Sequence, residues 1–336
     1  MKINYIVFLF CLLLVFTINA FAQQSERDKG IALYKQGDHA GAVRILQTAA
    51  RQKATKTDGE VWNYLGLAQL NQNKIKEARK ALEKAVKLDP QSSAFHSNLA
   101  YVYLLERKTD KAQSEIENAL RIDPQNAYAY YIRGTAYLWE EKYETAIADA
   151  DKAISVDAQF AAPYVLKSDG LLYGFGKIWQ QDAEKPIVNL EILTRAMQVL
   201  DDCLQKCAKN ADLAIAVERM DTVKTFYEYF KKKKDNPNGQ AAPTADANIT
   251  PLKILSNPRA SYTDSARRAG QQGTITLAVV FSADAKIKHI LLLKGLGYGL
   301  DQQALNAARS IAFEPQIENG KPISVVKMVQ YSFAIY

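Results

Sequence analysis

Residues 273–336 read GTITLAVVFSADAKIKHILLLKGLGYGLDQQALNAARSIAFEPQIENGKPISVVKMVQYSFAIY, and the succession of patterns along this stretch decides the fold of its part of the chain. Thr274 to Ser282 alternates, with Ile275, Leu277, Val279 and Phe281 on one face and Thr274, Thr276 and Ser282 on the other, which is the period of a half-buried strand. Ser282-Ala283-Asp284-Ala285 supplies a turn. Beyond it Ile287, His289, Leu291 and Leu293 alternate with Lys286, Lys288 and Lys294, so the two strands are expected to form an antiparallel hairpin. Gly295-Leu296-Gly297-Tyr298-Gly299 breaks the second strand. Leu300, Ala304, Ala308 and Ile311 then fall on one helical face able to cover the hairpin, and Asp301 suits the positive end of that helix. Pro315 forbids its continuation, Asn319-Gly320 makes a turn, and Ile323 to Tyr336 is a β-branched and aromatic run expected as the last strand.

These residues carry a resemblance. Gly273 with its strand, Leu300-Asp301 with Ala304 and Ala307-Ala308, then Phe313-Glu314-Pro315, Asn319-Gly320-Lys321-Pro322 and the closing Tyr331-Ser332-Phe333, resemble the C-terminal domain of TonB-family energy transducers over residues 251–336. Many members carry Tyr-Pro before the first helix, whereas Tyr262 here is followed by Thr263. The resemblance implies a β-β-α-β domain that captures a short extended peptide of a TonB-dependent outer-membrane transporter by adding it beside its own sheet. Physically this is β-augmentation, in which an unpaired strand edge supplies backbone donors and acceptors. The strand expected to offer that edge includes Val325, Lys327, Val329, Tyr331 and Phe333, whose other role is core packing on whichever face meets the helix.

From Gln23 to about Ala158 the chain repeats itself every 34 residues. Trp62, Leu65, Gly66, Ala78, Leu82, Ala85 and Pro90 form the clearest copy; Leu99, Ala100, Tyr103, Ala112, Ala119 and Pro124 follow in register. Gly134, Tyr137, Ala146 and Ala153 give the next copy, with Ala158 where Pro would stand, and Gly30, Gly37, Ala42, Leu46 and Ala49 give the first. This pattern resembles the tetratricopeptide repeat, in which small residues let two antiparallel helices approach and large ones fill the gap to the next pair. The fold class is therefore an α-solenoid over 23–160 followed by a small α+β domain. The repeat resemblance implies a groove for protein partners, and by repeat position Tyr101, Tyr128, Tyr131 and Trp139 are candidates to grip a peptide there, or else ordinary packing between repeats.

Residues 161–234 keep helical patterning while the register fades, as expected of irregular repeats that cap a solenoid. Pro163 to Ile178 suggests one helix interrupted by Gly170, Gly174 and Gly176, Ile187 to Lys209 a second, and Ala211 to Lys234 a third with Leu213, Val217, Met220 and Val223 facing inward. Cys203 and Cys207 sit one turn apart, as two small packing residues or as a disulfide. Lys231 to Lys234 is a cation run at a helix end, which is favourable there without any polyanionic partner. Residues 235–250, with Pro237, Gly239 and Pro243, read as a linker.

At the other end, Lys2, the apolar core from Ile6 to Phe16 and Ala20-Phe21-Ala22 make residues 1–22 a secretory signal peptide, which places the chain in the periplasm or cell envelope. The alternative is a retained membrane anchor. The three histidines, His39, His96 and His289, lack metal-ligand spacing, and Leu300 stands where a dinucleotide-binding loop needs its last glycine. No catalytic, cofactor or metal site and no nucleic-acid contact is expected. The chain reads as an envelope adaptor, with an energy transducer or a self-associating scaffold as the other readings.

Overall fold

The computed structural model describes residues 26–181, 190–207, 211–235 and 248–335. The expected signal peptide at 1–22 and residues 236–247 of the linker lie outside the described residues. The chain divides into two compact units, Met1–Ala129 and Tyr130–Tyr336.

The first unit is built of helix pairs: α1 (26–35) with α2 (His39–Ala49), α3 (Gly59–Asn71) with α4 (Ile75–Leu88), and α5 (Ser93–Leu105) with α6 (Thr109–Ile122). A further helix, α7 (Ala127–Trp139), begins in this unit and runs into the next. Local chemistry sets the boundaries. Asp58 and Ser92 accept from the amides of Glu60 and Phe95, capping α3 and α5. Asn73 and Arg107, 34 positions apart in the chain, both take left-handed backbone (φ 59° and 62°), which ends the first helix of a pair and turns into the second. Between pairs, Asp89 and Asp123 accept from the amides of Gln91 and Gln125 at 3.1 and 2.9 Å. Gly66 is demanded by packing, because a Cβ there would lie 2.6 Å from Leu82 Cγ. Ala42, Leu46, Ala49, Val61, Leu65, Ala68 and Ala81 form one core cluster under these helices.

In the second unit, α8 (Tyr143–Val156) ends at Asp157, which accepts from Gln159 N at 2.9 Å. An aspartate-led turn therefore forms even where Ala158 replaces proline. Three longer helices follow: α9 (Ala161–Gln181), α10 (Leu190–Lys206) and α11 (Ala211–Asp235). Two sequence expectations are corrected. The glycines do not interrupt α9; Gly170 is instead a close approach, a Cβ there lying 2.8 Å from Ile147 Cγ1 of α8. Val217 does not face inward but is half exposed, because Ala216, Val223, Phe226 and Phe230 set the buried face of α11 and swing it away from position 217. Cys203 and Cys207 are both buried and form a disulfide within one helical turn, their α-carbons 5.0 Å apart.

The C-terminal part holds β1 (Ile249–Thr250), β2 (Lys253–Ser256), α12 (Asp264–Arg268), β3 (Gly273–Phe281), β4 (Ile287–Lys294) and α13 (Leu300–Arg309). It closes with β5 (Ala312–Glu314), β6 (Gln316–Glu318), β7 (Lys321–Ile323) and β8 (Val325–Phe333). The expected β-β-α-β frame is β3, β4, α13 and β8, with antiparallel strand order β4-β3-β8. To it are added the pair β2-β5 and the ribbon β1-β6-β7, whose β6–β7 turn uses Asn319 and Gly320 at φ 50° and 79°. Where relatives carry proline, Thr263 caps α12, its hydroxyl accepting from Ala266 N at 3.1 Å and donating to the Tyr298 carbonyl at 2.8 Å.

The centre of the β3–β4 hairpin is buried on both faces, which corrects the half-buried reading of the first strand, whereas β8 leaves Met328 and Gln330 exposed. Ile275, Leu277, Val279 and Phe281 pack beneath Leu300, Ala304 and Ala308 of α13. On the opposite face Ala278 and Val280, with Leu291 and Leu293 of β4, join the core of α9, α10 and α11. The even positions of β3 are polar only at its start, so its central Ala278 and Val280 can meet a second layer. The expected grouping of Ile287 with Leu291 and Leu293 also fails. Between the pairs Val279↔Ile290 and Phe281↔Ile287 the register shifts by one residue, and this irregularity turns Ile287 to the α13 face with Ile290 and Leu292.

Candidate functional site

The last strand presents the most distinctive opening. β8 pairs with β3 along its whole length, from Phe281↔Val325 to Gly273↔Phe333, and with no other strand among the described residues. Its outer edge borders a cavity of about 400 Å³ lined by Lys327, Met328, Val329 and Gln330 of β8, by Pro251, Leu252, Ile254 and Asn257, and by Phe281, Ile311 and Gln316. Lys327 is the charged residue of this lining. Ile254, Leu255, Ile317 and Met328 are large apolar side chains left exposed in the C-terminal part. A free strand edge beside apolar side chains is a surface that soluble proteins ordinarily cover.

Of the five strand residues singled out from the sequence, the structure brings Lys327 and Val329 to the cavity and holds Val325, Tyr331 and Phe333 in the core under α13. The Tyr331 hydroxyl donates to Asn257 Oδ1 at 3.3 Å, and burial pushes its pKa up. Met328 and Gln330 had no distinguishing pattern in the sequence. Ile254 and Leu255, an exposed apolar pair in a short strand, are the signal by which the opposite wall could have been found.

The aromatic residues of the repeats lie in different settings. Tyr101 and Tyr128 are both half-buried with ring centroids 6.4 Å apart, and burial raises the Tyr101 pKa. In the second unit Tyr131 meets Phe160 edge to face at 5.4 Å. Trp139 packs against Tyr298 with centroids 5.4 Å apart, and the α-carbon of Gly297 closes on the indole, so this ring is engaged by the chain's own C-terminal part.

The Gly295–Gly299 bend is structural. Gly297, Tyr298 and Gly299 take consecutive left-handed conformations (φ 69°, 60° and 76°), and Asp301 accepts from the amides of Leu296 and Gly297 at 2.7 and 3.1 Å. Beneath it Tyr173 of α9 stacks on Tyr143, and Asp169 pairs with Arg219 at 3.1 Å. Burial raises the pKa of Asp169, with Arg219 opposing, and burial likewise raises Asp301 against its two amide bonds. Among the described residues no group of three or more His, Cys, Asp or Glu side chains could hold a metal ion, and no helix is long and apolar enough to cross a membrane.

A helix-hairpin array followed by a small sheet with an unpaired edge defines a protein-interaction module. Residues 258–335 match the family described as Gram-negative bacterial TonB protein C-terminal, and residues 27–93, 69–133 and 127–160 match tetratricopeptide repeat families. The chain thus carries tetratricopeptide repeats followed by a TonB C-terminal domain. Among solved structures it is similar to a thermophilic TPR protein of Thermus thermophilus, at 18% identity over 59% of this chain and 98% of that one, with a TM-score of 0.48. It is also similar to MamA (22% identity, 53% and 93% covered, TM-score 0.38) and to the TPR domain of Arabidopsis OM64 (26%, 33% and 93%, 0.31). No curated protein matches the chain.

Proposed function

We propose that this protein is a cell-envelope adaptor that holds one protein partner on its repeats and takes an extended peptide from the inner end of an outer-membrane transporter along β8. The observation that carries this reading is the one-sided pairing of β8 next to an apolar cavity. A peptide laid there would satisfy the outward backbone groups of the strand, seat an apolar side chain in the cavity and bring acidic groups to Lys327. The balance of charge agrees, since from Ile249 onward ten Lys and Arg stand against five Asp and Glu.

The test uses the alternation of an antiparallel ladder. Of Met328 and Val329, one directs its backbone amide at β3 and the other at the open edge. Met328→Pro and Val329→Pro should therefore divide: one weakens the fold, and the other keeps the fold but loses the transporter peptide in a titration. Retained peptide binding in both variants would mean that β8 is not the receiving edge. Pairing of the same edge with a second copy is the competing outcome, favoured by the exposed Met328 and Ile317, and would appear as concentration-dependent dimers in sedimentation. Energy transduction is the narrower reading and requires residues 1–22 to be retained as an anchor. A native amino terminus at Gln23 would remove it.

A further inference from the structure

Most of the chain's formal charge of +7 sits in one place, for residues 44–88 hold ten Lys and Arg against four Asp and Glu. Three of those acids are already engaged, Asp58 and Glu60 by Arg27 and Glu83 by Arg79, which leaves Glu77 as the exposed acid of the stretch outside any ion pair among the described residues. On α4, Lys76, Lys80, Lys84 and Lys87 fall on one outward stripe, opposite the buried Ala78, Ala81, Leu82 and Ala85. Ala42, Leu46 and Ala49 of α2 are buried as Ala78, Leu82 and Ala85 are in α4, which sets Arg44 and Arg51 where Lys80 and Lys87 stand. Arg51 and Lys80 border one cavity between these helices, so the two cationic faces adjoin. Lys84 is half-buried and the other five cations are exposed, and no ion pair joins any of the six among the described residues. The repeat itself does not call for cations here. The same face carries Asp110, Ser114, Asn118 and Arg121 in α6, and Glu144, Ala148, Lys152 and Ser155 in α8.

We propose that this face of α2 and α4 lies against an anionic phospholipid bilayer. The stripe on α4 runs for about 17 Å along the helix, the reach of a field of headgroups rather than of one bound anion. Four of the six cations are lysines, hydrated point charges that need no matched planar acceptor, and a cluster of this size on a helical surface suits anionic lipid. A folded protein partner needs anchors of another kind, since the centres of such interfaces are depleted in lysine and enriched in aromatic residues. The large apolar side chains left exposed among the described residues all lie at or beyond Ile215. A nucleic-acid strand needs rings to stack on, and α2 and α4 carry no Phe, Tyr or Trp. The face belongs to the first unit and owes nothing to β8, so the peptide reading made for that edge stands or falls separately.

The test is co-sedimentation of the full chain with vesicles of phosphatidylcholine alone and of phosphatidylcholine mixed with phosphatidylglycerol. The anionic vesicles are expected to bind more tightly than the neutral ones, and the excess to disappear at about 0.5 M salt. Each cation near such a surface is worth about fivefold in affinity, so the triple variant Lys76→Gln, Lys80→Gln, Lys87→Gln should bind anionic vesicles about a hundredfold more weakly. The variant Lys231→Gln, Lys232→Gln, Lys234→Gln, which removes cations from the end of α11, should bind them as the unaltered chain does. Equal binding of the two vesicle types, or an α4 variant that binds no more weakly than the α11 variant, overturns the proposal. So does tighter binding of a DNA duplex or of polyglutamate than of anionic vesicles at equal anionic charge. Should the α4 triple variant fail to fold, Lys80→Glu takes its place, with a loss of affinity expected and an unchanged affinity overturning the proposal.

Discussion

Leu291 and Leu292 are neighbours in β4 that point to opposite faces of the sheet, and together they measure how the C-terminal sheet is held. Leu291 is fully buried in the cluster that contains Leu193 and Leu200 of α10 and Phe226 and Phe230 of α11. Leu292 is buried on the other face, with Leu300, Ala304 and Ala308 of α13. Truncating either to alanine removes three side-chain carbons, two of them methyls, from a packed core and leaves a cavity, at a cost of about 2–5 kcal/mol. In a unit of this size each kcal/mol lowers Tm by roughly 2–4 °C, so both variants should be easily resolved by calorimetry. Their local effects should differ. Hydrogen exchange under native conditions should show Leu291→Ala loosening α10 and α11, and Leu292→Ala loosening α13 while sparing them. Unchanged protection of α10 and α11 in Leu291→Ala would refute the shared core and make the sheet an independent body on a tether. A shared core also means that deleting residues 249–336 would uncover Phe226 and Phe230, so partner loss is better tested with single substitutions in β8 than with that deletion.

Two other outcomes follow from particular contacts. Gly66→Ala gains about 1 kcal/mol of helix propensity but sets a Cβ 2.6 Å from Leu82 Cγ and 3.1 Å from the Ala78 carbonyl, an overpacking cost of about 1–3 kcal/mol; chemical denaturation should show a net loss in the repeats, and a gain would mean that the two helices have room to separate. Asp169 and Asp301 are held by burial above the ordinary carboxylate range, so the folded chain binds their protons more tightly than the unfolded chain, and this contribution favours folding at low pH and is lost as pH climbs from about 4 through the raised values. The double variant Asp169→Asn, Asp301→Asn should therefore flatten the fall in urea midpoint over that window, and an unaltered slope would show that these carboxyls do not carry it.

Much of the architecture was legible because it is repeated or local. The 34-residue period survives in the structure as left-handed turns at Asn73 and Arg107 and as the aspartate-led turns at Asp89 and Asp123. Asn319-Gly320 and the Leu300–Ala304–Ala308 face each set their element by backbone geometry within a few residues, whereas α13 ends at Arg309, with Ile311 beyond it and β5 standing between the helix and Pro315. The site was legible only in outline. Position 329 could be placed on the last strand, yet nothing in its own pattern told that Ile254 and Asn257, some 70 positions away, would form the opposite wall.

The sequence by itself determined the two modules, the succession of the main strands along the chain and the identity of the closing strand, because periodicity, capping and turn residues act over short distances. Only the tertiary structure decided which surfaces remain available. A one-residue irregularity in β4 turned Ile287 to the α13 face, the central Ala278 and Val280 of β3 met the capping helices, and Trp139 was taken up by Tyr298. Each of these depends on which distant apolar face finds a partner to exclude water with, and burial of that kind has no period that can be read along the chain.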